Sequence, residues 1–492
     1  MQMAAPAHLD AQFLQIQARA ESGVAADQHR LGNRYFHGDG VARDLDQALL
    51  WLRKAADAGL DIAQFNLGLL YQRGQGPAQD DQLAVHWFSR AAEQGHAAAQ
   101  YKLGALLARG AGAAPDPVLA RRWFEAAAAQ GHSGAQNKLG EWHQSGADGA
   151  PDLLRALQYY RLAAAQGQVA AQCNLAACYD SGTGVEHDPQ QATAWWRKAA
   201  ARGDAHAQFK LGLRYDRGHH LAQDSTLAIG WYRRAADQGH AEAQFNLSTI
   251  YASAQEALRD DAQALAWCRK AAIQGHAGAQ DSLGLRYRDG QGVARDLGQA
   301  ASWFRQAAQA GFALAQYHLA QLLGDVGEAL DWLRLAADQG HARAQHDLAL
   351  RSLATDEVAA LAWLHRAAAG DHVPAQFMLG QLYGRAESAL ADPCQALGWH
   401  LKAAAQGHAP AQFEMGLRYD CGNGVARDWR AALAWYTRAA RQGHARAQLN
   451  AGIMHAAGHG VRRDLAVASA WLEQAGASGA LEAPALLARI LA

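Results

Sequence analysis

Histidine and cysteine are the side chains with the widest chemical repertoire in this sequence of 492 residues, which contains 23 histidines and five cysteines. Seven of the histidines lie in a recurring Gly-His-x-x-Ala-Gln segment, and a Gly-His dipeptide of this kind is typical of a helix terminus, where the ring interacts with terminal carbonyls. His455 and His459 are four residues apart, a spacing at which two helical histidines can bind a metal ion. Because glycines flank His459, the helix is expected to end there, and we predict no metal site. The seven histidines are His96, His132, His240, His276, His341, His408 and His444.

The sequence contains no pattern that is characteristic of a catalytic or cofactor site. It has no Cys-x-x-Cys, His-Glu-x-x-His or phosphate-loop motif, and no nucleophile–base constellation is visible. Its glycine-rich runs follow predicted helices rather than strands, so phosphate binding is not expected. Cys173 and Cys178 are five residues apart on different faces of one predicted helix, and Cys268, Cys394 and Cys421 are scattered. We therefore predict a protein that is not an enzyme, binds no cofactor or metal and keeps its thiols free, which favours a reducing compartment.

Charge and hydropathy exclude two further classes of function. The chain has 45 Lys and Arg against 46 Asp and Glu, a formal net charge of -1, so it offers no basic field to nucleic acid. Its mean hydropathy is -0.26, and no stretch approaches the roughly 18 apolar residues of a membrane helix. Residues 1–8 lack the basic and apolar regions of a secretory signal. We expect a cytoplasmic protein without membrane insertion, with a periplasmic or secreted location as the alternative if a signal peptide has been removed.

A glutamine marks a repeat that accounts for almost the whole chain. Thirteen glutamines in equivalent contexts follow one another at intervals of 36 residues, except for intervals of 29 and 31 residues on either side of Gln345. About 150 residues per domain would divide the chain into three domains, but a fixed period of this length indicates one solenoid instead. The marker glutamines are Gln28, Gln64, Gln100, Gln136, Gln172, Gln208, Gln244, Gln280, Gln316, Gln345, Gln376, Gln412 and Gln448.

The pattern within each repeat predicts two helices, which we name helix A and helix B. In helix A the marker glutamine, a leucine and a small residue recur with helical spacing, as Gln64, Leu67 and Gly68 do in repeat 2. The glycine predicts the close approach of a neighbouring helix, because it costs about 1 kcal/mol in a helix interior. A glycine-rich turn, residues 74–76 in repeat 2, ends helix A.

Helix B begins at an aspartate, which is present in all thirteen repeats and is suited to an N-cap. An alanine follows four residues later and an aromatic residue three after that. The aromatic is a tryptophan in twelve repeats, so we interpret the high tryptophan content as structural. A glycine ends helix B where a left-handed residue is expected. The aspartates are Asp44, Asp80, Asp116, Asp152, Asp188, Asp224, Asp260, Asp296, Asp325, Asp356, Asp392, Asp428 and Asp464.

The division of the chain follows from the repeat. We predict an N-terminal capping helix in residues 7–24, thirteen repeats in residues 25–480 and a C-terminal capping helix in residues 481–492. Repeats 9 and 10, within residues 316–375, are shorter than the others by seven and five residues. We predict that both deletions fall in the loop between helix A and helix B, so this stretch is a candidate for a bend or a partner site.

Residues 280–311 carry the pattern in full, with Gln280, Leu283, Gly284, Tyr287, Gly290, Gly292, Val293, Asp296, Ala300, Trp303, Ala307, Ala308 and Gly311. This pattern resembles the Sel-1-like repeat, a relative of the tetratricopeptide repeat. The resemblance implies an all-α, right-handed superhelical α-solenoid with helices A on the concave side and helices B on the convex side. Family members act as scaffolds and adaptors, some bacterial ones give immunity against secreted toxins, and no catalytic residue comes with the motif. One branch has a disulfide in each repeat and is sometimes linked to β-lactam binding; this chain differs from it, because its cysteines form no periodic pair.

Two sets of residues are candidates for contact with a partner. The residue after the marker glutamine is aromatic in seven repeats, and by analogy with tetratricopeptide arrays it faces the concave groove. A ladder of such rings is suited to hold an extended peptide or a partner helix, or it only covers the seam between neighbouring A helices. The seven aromatic residues are Phe65, Tyr101, Phe209, Phe245, Tyr317, Phe377 and Phe413. The second set contains polar residues that packing is not expected to demand, namely Glu141, Asp180, Asp216, Arg288, His346 and Asp420.

These observations predict a non-catalytic scaffold or adaptor that binds a protein or peptide partner in its concave groove, and we expect a monomer. An immunity or inhibitory protein that neutralises a secreted toxin by occlusion is the alternative. A hydrolase of cell-wall material is a third class, disfavoured because no catalytic pattern is visible in the sequence.

Overall fold

The described part of the chain consists of α-helices joined by short turns and contains no strand. The helices follow one another as A and B of thirteen repeats with one further helix at each end, which confirms the predicted all-α solenoid. The chain separates into an N-terminal half, residues 1–247, and a C-terminal half, residues 248–492. The computed structural model describes residues 11–147, 149–253, 259–385 and 391–491.

The even-numbered helices from α2 to α26 are the A helices, and the odd-numbered helices from α3 to α27 are the B helices. The first fourteen are α1 Ala11–Glu21, α2 Ala25–His37, α3 Leu45–Asp57, α4 Asp61–Arg73, α5 Asp81–Glu93, α6 Ala97–Arg109, α7 Pro117–Ala129, α8 Ser133–Ser145, α9 Leu153–Ala165, α10 Val169–Ser181, α11 Pro189–Ala201, α12 Ala205–Arg217, α13 Ser225–Asp237 and α14 Ala241–Ser253. The others are α15 Asp261–Ile273, α16 Ala277–Asp289, α17 Leu297–Gln309, α18 Ala313–Leu322, α19 Val326–Asp338, α20 Ala342–Ser352, α21 Glu357–Ala369, α22 Val373–Gly384, α23 Pro393–Ala405, α24 Ala409–Cys421, α25 Trp429–Arg441, α26 Ala445–Ala457, α27 Leu465–Ala477 and α28 Ala483–Leu491. In the described ranges none of these helices is both long and apolar enough to cross a membrane.

The glycine of helix A permits the close packing that the sequence predicts. A Cβ atom added at Gly68 of α4 would lie 2.7 Å from the ring of Phe88 in α5, closer than two carbon atoms can approach. Phe88 belongs to helix B of the same repeat and is fully buried. The small residue therefore seats the large ring of its own repeat, and a larger side chain at position 68 would force the two helices apart.

The aspartate at the start of helix B caps it in all thirteen repeats, as predicted. In α5, for example, Asp80 Oδ1 accepts a hydrogen bond of 2.9 Å from the backbone N–H of Leu83. Such a cap contributes about 1 kcal/mol to helix stability. The repeat thus fixes the first residue of each B helix through its own local chemistry.

The tryptophans of helix B have a structural role. Trp51 of α3 and Trp267 of α15 are buried, and the ammonium groups of Lys54 and Lys270 lie 4.1 and 3.9 Å from their ring centres. A cation three residues after an aromatic residue lies on the same side of a helix, so the basic side chain covers the ring.

The glycine after helix B adopts the left-handed conformation predicted for it, with one exception. Gly203 has a φ of 92°, and its counterparts in most other repeats have similar values. In repeat 10 the glycine is displaced by one position, so that Gly370 precedes the turn and Asp371 occupies the left-handed position with a φ of 58°. This turn is therefore strained relative to the others.

The two short repeats lose part of helix A as well as loop residues. Helices α18 and α20 have 10 and 11 residues, whereas the A helices of full-length repeats such as α4 have 13. The prediction that the deletions spare the helices was wrong in this respect. The B helices α19 and α21 keep 13 residues and their aspartate caps, so the shortening removes the C-terminal turn of helix A and the loop that follows it.

The terminal helices pack against the repeats next to them. Phe13 of α1 is 1% exposed, and its ring lies 5.8 Å from that of Tyr35 in α2. At the other end Leu486 and Leu487 of α28 pack against the cluster that contains Leu472. The rest of the two predicted capping segments, residues 7–10 and 492, lies outside the described residues.

Candidate partner-binding face

The marker glutamine connects helix A with the preceding helix and, in several repeats, also with helix B of its own repeat. Gln64 is buried, and its Nε2 donates a hydrogen bond of 3.0 Å to the carbonyl oxygen of Ala56, at the end of the preceding B helix. Its Oε1 accepts one of 2.7 Å from Gln94, at the end of helix B in its own repeat. The same donor contact recurs at Gln100, Gln208 and other marker positions. The glutamine therefore fixes the rotation of helix A and the direction in which the next residue points.

The Gly-His histidines cap helix A rather than binding the carbonyls at the end of helix B, and this prediction was wrong. His96 is the N-cap of α6, and its Nδ1 accepts a hydrogen bond of 3.2 Å from the backbone N–H of Ala99. All seven histidines make the same contact. An Nδ1 atom that accepts must be unprotonated, so the cap requires the neutral ring. Burial favours that form, because it lowers the pKa of His132, His240 and His444, among others.

The same imidazoles hold the aromatic candidates in place. The ring of Phe65 lies 4.7 Å from that of His96 in the next repeat and 5.8 Å from that of Phe88 in its own helix B. The ring of Phe65 therefore lies against an imidazole, and in the described residues no contact joins two of the seven aromatic candidates. Phe245 is half-buried like the others. The remaining pairs are Tyr101 with His132, Phe209 with His240, Tyr317 with His341, Phe377 with His408, and Phe413 with His444, all at 4.7 or 4.8 Å.

In three repeats where a polar residue replaces the aromatic one, that residue makes a hydrogen bond to the next A helix. The ring of His29 lies 2.8 Å from Asn66 Nδ2, Asn174 Nδ2 donates 3.1 Å to Asn137 Oδ1, and the ring of His318 lies 2.8 Å from Asp281. In each pair the residue of the later A helix lies 37 positions after its partner in the earlier one. The position after the marker glutamine therefore serves contact between A helices whether it is aromatic or polar.

Three of the polar candidates have partners within the fold, contrary to the premise that packing does not demand them. Asp180 accepts a hydrogen bond of 2.8 Å from Trp196 Nε1 and pairs with Arg214. Asp216 accepts one of 3.2 Å from the hydroxyl of Tyr232, and Asp420 lies 3.5 Å from that of Tyr436. Each aspartate thus satisfies the polar end of a large helix B ring. Sequence reasoning missed this role, although the constant separation of 16 residues could have indicated it.

The other three polar candidates lie on the surface or at its edge. Glu141 accepts hydrogen bonds from Lys138 at 2.6 Å and Asn137 at 2.8 Å. Arg288 donates to the neighbouring Asp289 at 2.7 and 2.9 Å. The ring of His346 lies 5.0 Å from that of His372. The structure does not gather the polar candidates into one cluster, so a role in specificity stays a prediction for each.

In three repeats an exposed aliphatic side chain lies one helical turn beyond the position that follows the marker glutamine, which holds His346, Phe413 or Leu449. Leu350, Leu417 and Ile453, each five places after its marker glutamine, are 44%, 37% and 38% exposed. Residues four apart share a helix face, so these side chains adjoin the position that the rings occupy. We call the surface formed by the residues one and five places after the marker glutamines the A face.

No three histidine, cysteine or acidic side chains come together as a metal site would require anywhere in the described residues. His455 lies in α26, whereas His459 follows the end of that helix, and its ring stacks on Trp429 at 4.3 Å. All five cysteines are free.

A profile of the Sel1 repeat matches thirteen consecutive segments that together cover residues 25–479. Among solved structures, a protective antigen of uropathogenic Escherichia coli strains with an SLR fold, c5321, is 32% identical with a TM-score of 0.67, covering 98% of this chain and 97% of that one. A Sel1 repeat protein from Oxalobacter formigenes is 31% identical with a TM-score of 0.51, covering 66% of this chain and 96% of that one.

The immunity protein PA5088 from Pseudomonas aeruginosa is 22% identical with a TM-score of 0.30, covering 48% of this chain and 84% of that one. No curated protein sequence matches the chain significantly. The repeat profile and the two structures above 30% identity agree with the helix pairs described above. The chain belongs to the Sel1 repeat family.

Proposed function

We propose that the protein is a non-catalytic scaffold that binds a protein or peptide partner along the A face. Sel1 repeat solenoids are typical of protein-interaction scaffolds and are generally non-catalytic. The observation that carries the proposal is the row of half-buried rings held by imidazoles, with exposed aliphatic side chains at the neighbouring position of the A face in three repeats of the C-terminal half.

The ring contacts favour binding because they hold the binding groups rigidly before a partner arrives. Phe413 is held between His444 at 4.8 Å and Tyr436 at 5.7 Å, so little side-chain freedom is lost when a partner covers it. Leu417, which is exposed one helical turn further along the same helix, provides apolar surface beside it. A regular row of apolar sites is suited to a helix or an extended segment whose own apolar residues recur at a regular spacing.

The test compares exposed leucine and isoleucine side chains of similar accessibility on the two faces of the C-terminal half. A partner is first identified by affinity purification with mass spectrometry, and its affinity is then measured for each variant by calorimetry. We expect Leu350→Asp and Ile453→Asp to weaken binding at least tenfold, because a carboxylate would have to be desolvated at the interface. All these positions are exposed, so the substitutions should leave the fold intact.

The matched controls are Leu335→Asp and Leu401→Asp on helix B, where the leucines are 48% and 45% exposed. These variants should bind within twofold of the wild type. Equal losses on both faces, or none on the A face, would contradict the proposal. Because Leu350 belongs to short repeat 10 and Ile453 to full-length repeat 13, a larger loss at Leu350 would also support a partner site in residues 316–375.

The narrower role, neutralisation of a secreted toxin by occlusion, stays a prediction. It requires that the captured partner is a toxin and that a stoichiometric amount of this protein blocks its activity. A partner that keeps its activity in the complex would favour the scaffold instead.

A further inference from the structure

Two seams between consecutive repeats carry an arginine at the same position but differ in what faces it. The 5–6 seam is formed by α10, α11 and α12, and the 11–12 seam by α22, α23 and α24. In the 5–6 seam Arg214, six places after its marker glutamine, donates to Asp180 of the preceding A helix. Trp196 of the intervening B helix donates 2.8 Å to the same carboxylate. The Asp180 carboxylate therefore pairs with the Arg214 cation and accepts the hydrogen bond of the Trp196 ring N–H.

In the 11–12 seam the corresponding positions hold Gly384, His400 and Arg418. Arg418 is only 7% exposed, and its Nε has no hydrogen-bond partner in the described residues. His400 is 2% exposed, and neither of its ring nitrogens has a partner there. A Cβ atom added at Gly384 would lie 3.3 Å from Nη2 of Arg418. A side chain at position 384 would therefore reach the guanidinium, as Asp180 reaches Arg214.

A cavity lies beside Gly384, where the 11–12 seam lacks the aspartate of the 5–6 seam. It has a volume of about 410 Å³ and is lined by Gly384, Arg385, His400, Glu414 and Arg418, among others. The corresponding cavity of the 5–6 seam, which is lined by side chains that include Asp180 and Arg214, has a volume of about 230 Å³. The glycine thus leaves the larger space beside the buried cation.

The electrostatics of the cavity favour an anion. A guanidinium stays charged in a protein interior, and a buried charge without a counterion is costly. Glu414, four residues before Arg418, interacts with its charge, but no ion pair joins the two in the described residues, and burial raises the pKa of Glu414. The planar donors of arginine and the N–H of a neutral histidine suit the two oxygens of one carboxylate.

We propose that the cavity of the 11–12 seam binds a carboxylate, which Arg418 and His400 hold in the position that the Asp180 carboxylate occupies in the 5–6 seam. The carboxylate comes from an acidic side chain or from the free C-terminus of a polypeptide. The cavity adjoins the A face, because Leu417 lines it and the ring of His400 lies 5.6 Å from that of Phe377. Its binding groups are Arg418 and His400 rather than the row of rings, so the proposal stands even if that row binds nothing.

The direct test observes the Nε–H resonance of Arg418 by NMR in the full-length ¹⁵N-labelled protein. Loss of a signal in Arg418→Lys and in Arg214→Lys identifies the two resonances. Sodium acetate should shift the Arg418 signal along a saturable curve and leave the Arg214 signal in place, whereas sodium chloride at equal ionic strength and acetamide should shift neither. A linear response, or equal shifts at both arginines, would overturn the proposal.

Exchanging the residues at positions 384 and 180 should remove the site from the 11–12 seam and create one in the 5–6 seam. Gly384→Asp should weaken acetate binding at least tenfold and raise the thermal midpoint, because the new carboxylate occupies the position of the ligand. Gly384 does not have a left-handed backbone, so aspartate is tolerated there. Asp180→Gly should create a second saturable response at Arg214. If Gly384→Asp leaves acetate binding unchanged, the carboxylate does not bind at this position.

Glu414 and the source of the carboxylate are tested with the same signal. Glu414→Gln should tighten acetate binding severalfold, because it removes a negative charge from the cavity wall; weaker binding would count against the site. A pentaalanine peptide with a free C-terminus and an amidated peptide with one internal aspartate distinguish the two sources. Saturable binding of either supports a polypeptide ligand, and binding of neither while acetate binds overturns that part of the proposal.

Discussion

The 5–6 and 11–12 seams have the same helical frame but fill three equivalent positions differently. In the first, Asp180, Trp196 and Arg214 satisfy one another, and in the second Gly384, His400 and Arg418 have no such partners in the described residues. The frame itself is unchanged, because Gln172 and Gln376 both donate to the preceding B helix, at 3.2 and 3.3 Å. The repeat therefore separates residues that build the solenoid from residues that vary as a set within it.

This difference lowers the stability of the 11–12 seam and leaves its buried polar groups free to contact a ligand. A buried polar group without a partner costs roughly 1–3 kcal/mol, and a buried charge costs more. The 5–6 seam avoids this cost internally, whereas the 11–12 seam avoids it only when a ligand supplies the carboxylate. Stability in a solenoid is local, so each seam can be probed through the protection of its own amides from hydrogen exchange.

The largest expected effect concerns the acid stability of the 11–12 seam. Burial, together with Arg418 and His408, lowers the pKa of His400 from 6.5 to about 4. The unfolded chain therefore binds a proton that the folded chain does not, so this stability is present above pH 6.5 and is lost as the pH falls through about 4. The gap corresponds to about 3 kcal/mol. In His400→Phe this loss should disappear.

Phenylalanine fits at position 400 because Gly380 faces His400 as Gly68 faces Phe88. The measurement is the urea midpoint of wild type and variant between pH 7 and pH 3. Subtraction cancels the capping histidines, which both proteins keep. Parallel pH profiles would show that His400 is not the group that titrates.

The second effect concerns the 5–6 seam. Asp180→Ala leaves Arg214 and Trp196 without their common acceptor, and we expect a local loss of about 2 kcal/mol. The side chain of Asp180 is 30% exposed, so water replaces part of what is lost. Hydrogen exchange of α10 and α12, followed by mass spectrometry, measures the change.

The matched variant is Arg418→Met, which removes a buried cation that has no carboxylate partner in the described residues. It should leave the protection of α24 unchanged or increase it by up to about 1 kcal/mol. Equal losses in the two variants would show that Arg418 has an internal counterion, and the contrast between the seams would then fail.

A smaller effect is expected at the starts of the A helices. In α12 Asp204 accepts a hydrogen bond of 2.7 Å from the N–H of Ala207. In α22 the corresponding residue, His372, makes no capping bond, and its Nδ1 is buried without a partner in the described chain. His372→Asp should therefore increase the protection of the first turn of α22 from hydrogen exchange by about 1 kcal/mol. Asp204→Ala should lower the protection of the first turn of α12 by a similar amount. An unchanged first turn in both variants would contradict this assignment of the caps.

Local chemistry explains which features the sequence predicts. An aspartate cap such as Asp80 acts on a backbone N–H three residues away, and the glycine turns act within one residue. These interactions need no knowledge of how repeats stack. The helix pairs, their caps and the close approach at Gly68 were therefore predictable.

Contacts between repeats were not predictable in this way. Gln64 donates to Ala56 of the preceding repeat, Asp180 meets Arg214 at a separation of 34 residues, and His29 meets Asn66 at a separation of 37. Their geometry depends on the register between stacked helices, which no single repeat determines. The histidine cap was misplaced because a Gly-His turn ends one helix and begins the next. A comparison of equivalent positions across the thirteen repeats shows that Asp180 and Gly384 correspond, and only the structure shows what faces them.

The smallest effect concerns the turns that lead into the two seams. Gly203 precedes α12 with a φ of 92°, whereas Asp371 precedes α22 with a φ of 58°. A residue with a side chain costs about 1–2 kcal/mol in the left-handed region, and aspartate somewhat less. Asp371→Gly should therefore gain about 0.5 kcal/mol, partly offset by the greater freedom of glycine in the unfolded chain. The measurement is hydrogen exchange at the end of α21 and the start of α22.

The converse change, Gly203→Asp, should lose a similar amount at the junction of α11 and α12. The two effects should have opposite signs, because Asp371→Gly relieves backbone strain in one turn and Gly203→Asp introduces it in the other. A loss in both variants would show that Asp371 makes a favourable contact that outweighs its backbone strain. The weaker turn would then be a second place, beside Arg418, where a polar residue of this region is retained at the expense of stability.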